Sequence, residues 1–412
     1  MALLTHKLSN GLQVVADHNS RCQLLSLGYF VRTGSRDETL DVSGVSHFLE
    51  HMCFKGTPNR SALEINLQLD ELGANSNART SEESTIYHAT VLPDFQTPIV
   101  ELLTDMMRPS LLEEDFETEK QVILEEIAMY KDQPPYGGHE KIMADYFGQH
   151  ALAKSVLGTE ETVGEMTSAA MRQFHRNHYA ASNLVLAVAG RVDFERLIAD
   201  LEKFTAAWEK LPTPERICLP HTAIVGSQFL HVPQSNQQYI LQLSPGPAHD
   251  DPMRFAARLG ALIFGDDSGS RLFWELVDPG NADMASVGHY EYEGTGTLIS
   301  IFSSRPEDSK TVWDHFQQLE KQFLEEGPTQ KELDLAKAKA VASMNLASEI
   351  GENRMFDLGS QWLTFGNFKS VAEVTQLINQ VQIADVCQAL QRFPMTEKQV
   401  LFIGPDQQFS PG

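Results

Sequence analysis

The chain has 412 residues, 42% hydrophobic and 21% charged, the balance of a globular protein long enough to bury its own core without disulfides. Its 32 Lys and Arg stand against 56 Asp and Glu, a net charge of −24. A surface of that sign repels phosphate backbones and anionic membranes, which argues against nucleic acid and membrane as partners, and it would attract basic peptides. No run approaches the ~18 apolar residues of a membrane span, and the first residues lack the basic-then-apolar pattern of a signal peptide. Cys22, Cys53, Cys218 and Cys387 are far apart with no C-x-x-C, as a reducing compartment such as the cytoplasm would allow.

In chain order, Thr5 to Asp17 reads as two short strands around a turn at Asn10-Gly11. Leu24 to Arg32 is a third strand. Gly44 to Phe54 reads as a helix with Ser43 as its N-cap and Gly56 as its stop, and Ala62 to Leu72 as a second helix closed by Gly73. Thr85 to Leu92 is strand-like. Gln96 to Met107 and Leu112 to Tyr130 read as helices, with Ser110 and Glu113 as a capping box for the latter. Pro134-Pro135 forbids its continuation. Leu184 to Ala189 is a buried strand ending at Gly190.

Leu211 to Pro220 carries three prolines, a linker composition. Beyond it the order of elements resumes: a strand at Gln238 to Leu243, a helix around Met253 to Phe264, a strand near Leu298 to Phe302, and helices from Thr311 to Glu326 and Thr329 to Ile350. The expected fold is α+β, two similar domains at 1–210 and 226–412 joined by a linker at 211–225, each a mostly antiparallel sheet covered by helices.

The residues that carry chemistry are His47-Phe-Leu-Glu50-His51. Positions i and i+4 share a helix face, so both imidazoles reach one point. Two neutral imidazoles at this spacing suit tetrahedral zinc, and Glu50 beside them can take a proton from water. The order H-x-x-E-H reverses the zincin motif. A third ligand is needed, and helix 112–130 offers seven carboxylates, most of them a solvated acidic face. Glu119 and Glu126 are seven apart and share a side flanked by Val122, Ile123 and Ile127, where a carboxylate needs a partner.

Several stretches together resemble the pitrilysin/insulinase family of zinc peptidases, in the short-chain branch that includes the zinc-bearing beta subunit of mitochondrial processing peptidase. They are Leu8-Ser-Asn-Gly-Leu-Gln-Val-Val15, Val31-Arg-Thr-Gly-Ser-Arg-Asp-Glu38, Gly44 to Thr57 around H-F-L-E-H-M-C-F-K-G-T, Asn77-Ala-Arg-Thr-Ser-Glu-Glu-Ser-Thr-Ile-Tyr87, Glu119-Lys-Gln-Val-Ile-Leu-Glu-Glu126, and Tyr179 to Gly190. The resemblance implies one Zn²⁺ per chain on His47, His51 and Glu126, with Glu50 as general base and Glu119 orienting a ligand histidine. Glu125 replaces Glu126 if the helix register differs. It places Asn77 and Ala78 on an exposed edge strand where a substrate peptide adds as a further strand, so unfolded peptides are the expected substrates.

The second half departs from the pattern. Gly265 to Leu276 resembles the family's G-G-x-x-S-S-R-L-F-x-E-L, but the Arg and Tyr that follow in active members and support the substrate are missing. Val277 or Asp278 stands at the first position, Met284 or Ala285 at the second, and Arg271 reads as structural. Family members enclose peptide in two-part clamshells, and one chain of this length supplies half. The first expectation is a heterodimer with a homologous chain that lacks H-x-x-E-H and brings the Arg and Tyr. A self-sufficient homodimer is second, and a non-catalytic scaffold subunit is the alternative of another class. His175 and His178 read as structural rather than as a second metal site. The expected source is a bacterium.

Overall fold

A computed structural model describes residues 2–406 except Ile217 and Pro220, two positions of the expected linker. The first half runs β1 (Ala2–Lys7), β2 (Gln13–His18), β3 (Leu25–Val31), α1 (Val45–Met52), α2 (Ala62–Glu71), β4 (Asn75–Thr80), β5 (Thr85–Val91), α3 (Gln96–Met106), α4 (Glu113–Asp132), α5 (Gly138–Phe147), α6 (Glu160–Glu165), α7 (Ser168–His178), β6 (Leu184–Gly190) and α8 (Phe194–Phe204). The second runs β7 (Gly226–His231), β8 (Gln238–Gly246), α9 (Arg254–Gly265), β9 (Met284–Tyr292), β10 (Thr295–Ser304), α10 (Ser309–Glu326), α11 (Gln330–Ser348), α12 (Gly351–Phe365), α13 (Val371–Gln380), α14 (Ile383–Arg392) and β11 (Gln399–Gly404). The turn before β2 forms where the sequence puts it: Gly11 adopts a φ of +104°, which Asn10 supports by accepting the Leu12 N–H.

The first sheet has the strand order β1-β2-β6-β3-β5-β4 and the second β7-β11-β8-β10-β9. With β1 set aside the two orders coincide, down to one parallel pair in the same place, β2 with β6 and β7 with β11. Every other neighbouring pair is antiparallel. This is the two-domain α+β architecture expected from the order of elements.

The compact units are discontinuous in sequence, unlike the expected division at 211–225. One comprises Met1–Met129, Lys154–Arg216 and Asn345–Lys369, and the other Tyr130–Ala153, Ile217–Met344 and Ser370–Gly412. Each half of the chain lends a helix to the other's sheet. A sheet with apolar side chains on both faces needs cover on both. On the first sheet one face packs under α1, α3, α4, α7 and α8, and the opposite face, with Val15, Phe30, Ile86 and Val185, is closed by Met355 and Leu358 of α12. In the second unit Ile142, Met143, Tyr146 and Phe147 of α5 cover Leu241, Leu243, Leu401 and Ile403.

Two helix starts differ from expectation. The N-cap of α1 is Gly44, not Ser43, at a φ of +93° with no side-chain cap of its own. A Cβ on Gly44 would sit 2.7 Å from the Leu157 carbonyl, so the tight approach selects glycine. The N–H groups of Gly44 and Ser46 go instead to the buried Glu38 carboxylate, at 2.7 and 2.8 Å. The Ser110–Glu113 capping box does not form: Leu111 takes a φ of +48°, and Glu113 accepts from the Ser168 hydroxyl.

Candidate metal centre

Helix α1 carries His47, Glu50 and His51 on an amphipathic stretch whose other face, Phe48, Leu49 and Met52, is fully buried. That burial fixes the helix rotation. Phe48 stacks on Phe116 of α4 at 4.6 Å between centroids, which sets α1 against the helix that brings Glu119 and Glu126. His47 Nε2 and His51 Nε2 lie 3.7 and 3.8 Å from Glu126 Oε2. Glu125, one residue earlier, is exposed on the outer side of α4, so the register selects Glu126.

The donor set fits zinc. One atom from each of His47, His51 and Glu126 lies within 4.8 Å of the others. Bonds of about 2.0–2.1 Å to a tetrahedral ion put ligand atoms about 3.4 Å apart, close to the spacing already present. Among the described residues this is the one cluster of His, Cys, Asp and Glu able to hold an ion. Three carboxylates, Glu50, Glu119 and Glu126, surround the histidines against the one lysine, Lys55, a surplus of acidic groups that suits a cation.

Burial, with the neighbouring His51, pushes His47 down to about 4, so its ring is neutral and its lone pair available. Burial alone would lower His51 too, but the Glu119 hydrogen bond and the charges of Glu119, Glu126 and Glu50 outweigh it and raise its affinity for a proton. A cation at the site would compete with that proton. His51 Nδ1 faces Glu119 Oε1 at 2.8 Å, and the other Glu119 oxygen takes Lys55 Nζ at 2.6 Å. Burial would raise Glu119; its bonds to His51 and Lys55 win and keep it ionised.

Glu50 is pushed up by burial and by Glu126, and pulled down by Thr80 and His51. Thr80 Oγ1 donates to Glu50 Oε2 at 2.5 Å. Thr80 closes β4, the edge strand of the first sheet, which also carries Asn77 and Ala78. Asn77 is exposed, Ala78 is half-buried, and Asn77 Oδ1 accepts the Ala78 N–H at 2.9 Å. The sequence reading missed Lys55 and Thr80 as site residues. Both stood inside quoted motifs, but their partners lie 64 and 30 positions away in sequence, beyond any local pattern.

In the second unit, Arg271 pairs with Glu332 at 2.7 Å and lies over Phe323, a structural role as expected. Met284 and Ala285 open β9, the edge strand of the second sheet.

The insulinase model of peptidase family M16 matches residues 13–160, and the M16 inactive-domain model matches residues 165–340. A Bacillus subtilis protein named an uncharacterized zinc protease is 30% identical over 381 residues, covering 92% of each chain. The chain belongs to the M16 peptidase family. A second relative named an uncharacterized zinc protease, from Streptomyces coelicolor, is 31% identical, covering 92% of this M16 chain and 84% of its own. Two solved structures share the fold at 21% identity: a protease from Helicobacter pylori, TM-score 0.91 over 98% of this chain and 99% of that one, and an M16 inactive-domain protein from Pseudomonas fluorescens, TM-score 0.92 over the whole of both. No helix among the described residues is long and apolar enough to cross a membrane.

Proposed function

We propose that this chain is a zinc-dependent endopeptidase that cleaves unfolded peptides. The observation that carries this reading is the convergence of His47, His51 and Glu126 beside a carboxylate, Glu50, tethered to an open sheet edge. When bound there, zinc supplies Lewis-acid chemistry: it acidifies water and polarises a carbonyl.

The chain's own residues do the rest. His47, His51 and Glu126 hold the metal, and Glu119, steadied by Lys55, fixes the His51 ring. Glu50 accepts the proton of the attacking water and later delivers it to the leaving amine; its raised pKa suits both tasks. A peptide adding along β4 takes over the Ala78 N–H from Asn77 and lies beside Thr80 and Glu50. A folded protein cannot present such a strand, so selectivity is for unfolded chain.

The missing Arg and Tyr favour a clamshell of two chains, this one bearing the metal and a homologous partner lacking H-x-x-E-H supplying those groups. A homodimer is the second reading. The test is cleavage of one protein in its folded and unfolded forms by the zinc-loaded chain, alone and with such a partner. Cleavage confined to the unfolded form is expected; equal cleavage of both forms contradicts the reading.

A further inference from the structure

A cavity of about 570 Å³ opens in the first unit between the C-terminal end of α3, α7 and the segment after α8. Small-molecule sites have such volumes. It shares no lining residue with the metal centre. Arg60 at its rim is taken up by Asp105 at 2.7 Å and Glu101 at 3.2 Å, and Arg176 by Glu209 at 3.5 Å. Arg108 has no carboxylate partner among the described residues. Its guanidinium lies 3.7 Å from the centre of the Trp208 ring and gives one N–H to the Met107 carbonyl at 2.6 Å. Stacking fixes the guanidinium plane and leaves further donors of its fork unused.

The buried arginines Arg36, Arg216 and Arg354 are all matched by carboxylates. In a chain of net charge −24, Arg108 is half-buried, faces a cavity and, among the described residues, has no such match. Burial pushes Arg108 down to about 10, still charged at neutral pH. His175 beside it adds no charge: its Nε2 meets the Met107 carbonyl at 3.1 Å, and burial together with Arg108 pushes it down to about 4. Three arginines and three carboxylates line the cavity, so its walls carry no net charge, and Arg108 is the cation among them that no carboxylate engages among the described residues. The walls also include Tyr179, Phe204, Trp208 and Leu211. The half-buried Glu101 and the exposed Glu209 at the rim disfavour a multiply charged anion.

We propose that this cavity binds a small monocarboxylate with an apolar, ring-bearing body, its carboxylate on the Arg108 fork and its body against Trp208 and Phe204. A free aromatic acid and the C-terminal residue of a short peptide share this chemistry. The site stands independently of the hydrolytic reading.

The experiment is calorimetric titration of the full chain carrying Glu50→Gln, so that no peptide is consumed. The probes are 3-phenylpropionate and its amide, and Ala-Ala-Phe and its C-terminal amide. At least one acid binds saturably, and its amide at least about tenfold more weakly, the size of effect a charge-assisted bidentate contact gives. The acid that binds more tightly names the source. Arg108→Gln removes the preference for acid over amide. Ala207→Trp, a change at an exposed lining position, removes binding while leaving Arg108 in place. The proposal is overturned if neither acid binds, if acid and amide bind alike, or if a folded Arg108→Gln chain keeps the preference. Should that variant fail to fold, unchanged acid binding by Ala207→Trp overturns it equally.

Discussion

Thr80 Oγ1 donates to Glu50 Oε2 at 2.5 Å, joining the last residue of the edge strand to the carboxylate that lies between His47 and His51 on α1. The strand on which a peptide would lie and the group that would move its protons are thus held by one bond. Removing the hydroxyl frees the Glu50 carboxylate to rotate. Thr80→Val should lower kcat about tenfold with KM little changed, as loss of an aligned hydrogen bond to a charged group predicts, and Thr80→Ser should restore it. Steady-state kinetics on an unfolded peptide checks this; a kcat equal to wild type in Thr80→Val would remove the positioning role.

Glu119 acts through His51. It fixes the ring by accepting at Nδ1, and Lys55 keeps it ionised. Glu119→Gln should weaken zinc binding about 10- to 100-fold, the usual effect of losing such a partner, and Lys55→Met should weaken it less. Competition with a zinc-binding dye measures both, and unchanged affinity in Glu119→Gln would contradict the arrangement.

The loan of α12 to the first sheet depends on a small residue at the contact. A Cβ on Gly359 would lie 2.3 Å from the Phe30 ring. Alanine there gains helix propensity but overlaps a fully buried side chain, and overpacking prevails at about 1–3 kcal/mol. Thermal unfolding of Gly359→Ala should show a lower midpoint; a raised midpoint would mean that Phe30 yields freely.

The convergence of His47, His51 and Glu126 was legible because its pattern is local. Histidines four apart on α1 and glutamates seven apart on α4 can be placed on helix faces from sequence alone. The division into two similar α+β units was legible in outline from the repeat of elements, whereas the strand order within each sheet was not. The exchange of α5 and α12 was not, because an amphipathic helix records that it is covered on one side and not which sheet covers it. The misplaced N-cap at Ser43 has the same origin: the first N–H groups of α1 are taken by Glu38, six positions before Gly44 and outside the helix. Thr80 and Lys55 needed coordinates because their partners are on other elements.

Acid stability has one identifiable contributor in the second unit. Burial would raise Glu332, but the Arg271 guanidinium and the Thr329 N–H and hydroxyl pull harder and hold it at about 2, below the usual 4.5. A depressed carboxyl stabilises the fold above the unfolded value, and the contribution is lost as pH falls from about 4.5 towards about 2. The gap in thermal midpoint between wild type and Glu332→Gln should be positive at pH 7 and close across that interval. A gap independent of pH would contradict the assignment.

In the proposed reaction Glu50, beside a zinc held by His47, His51 and Glu126, drives peptide hydrolysis. The most direct measurement is turnover of a quenched-fluorescent unfolded peptide by wild type and Glu50→Gln, each with its metal content determined and with the homologous partner chain present. One zinc per chain is expected in both, with turnover by wild type and a loss of about 10²- to 10⁴-fold in Glu50→Gln. Undiminished turnover in Glu50→Gln, or a wild-type chain that takes up no zinc, would contradict this mechanism.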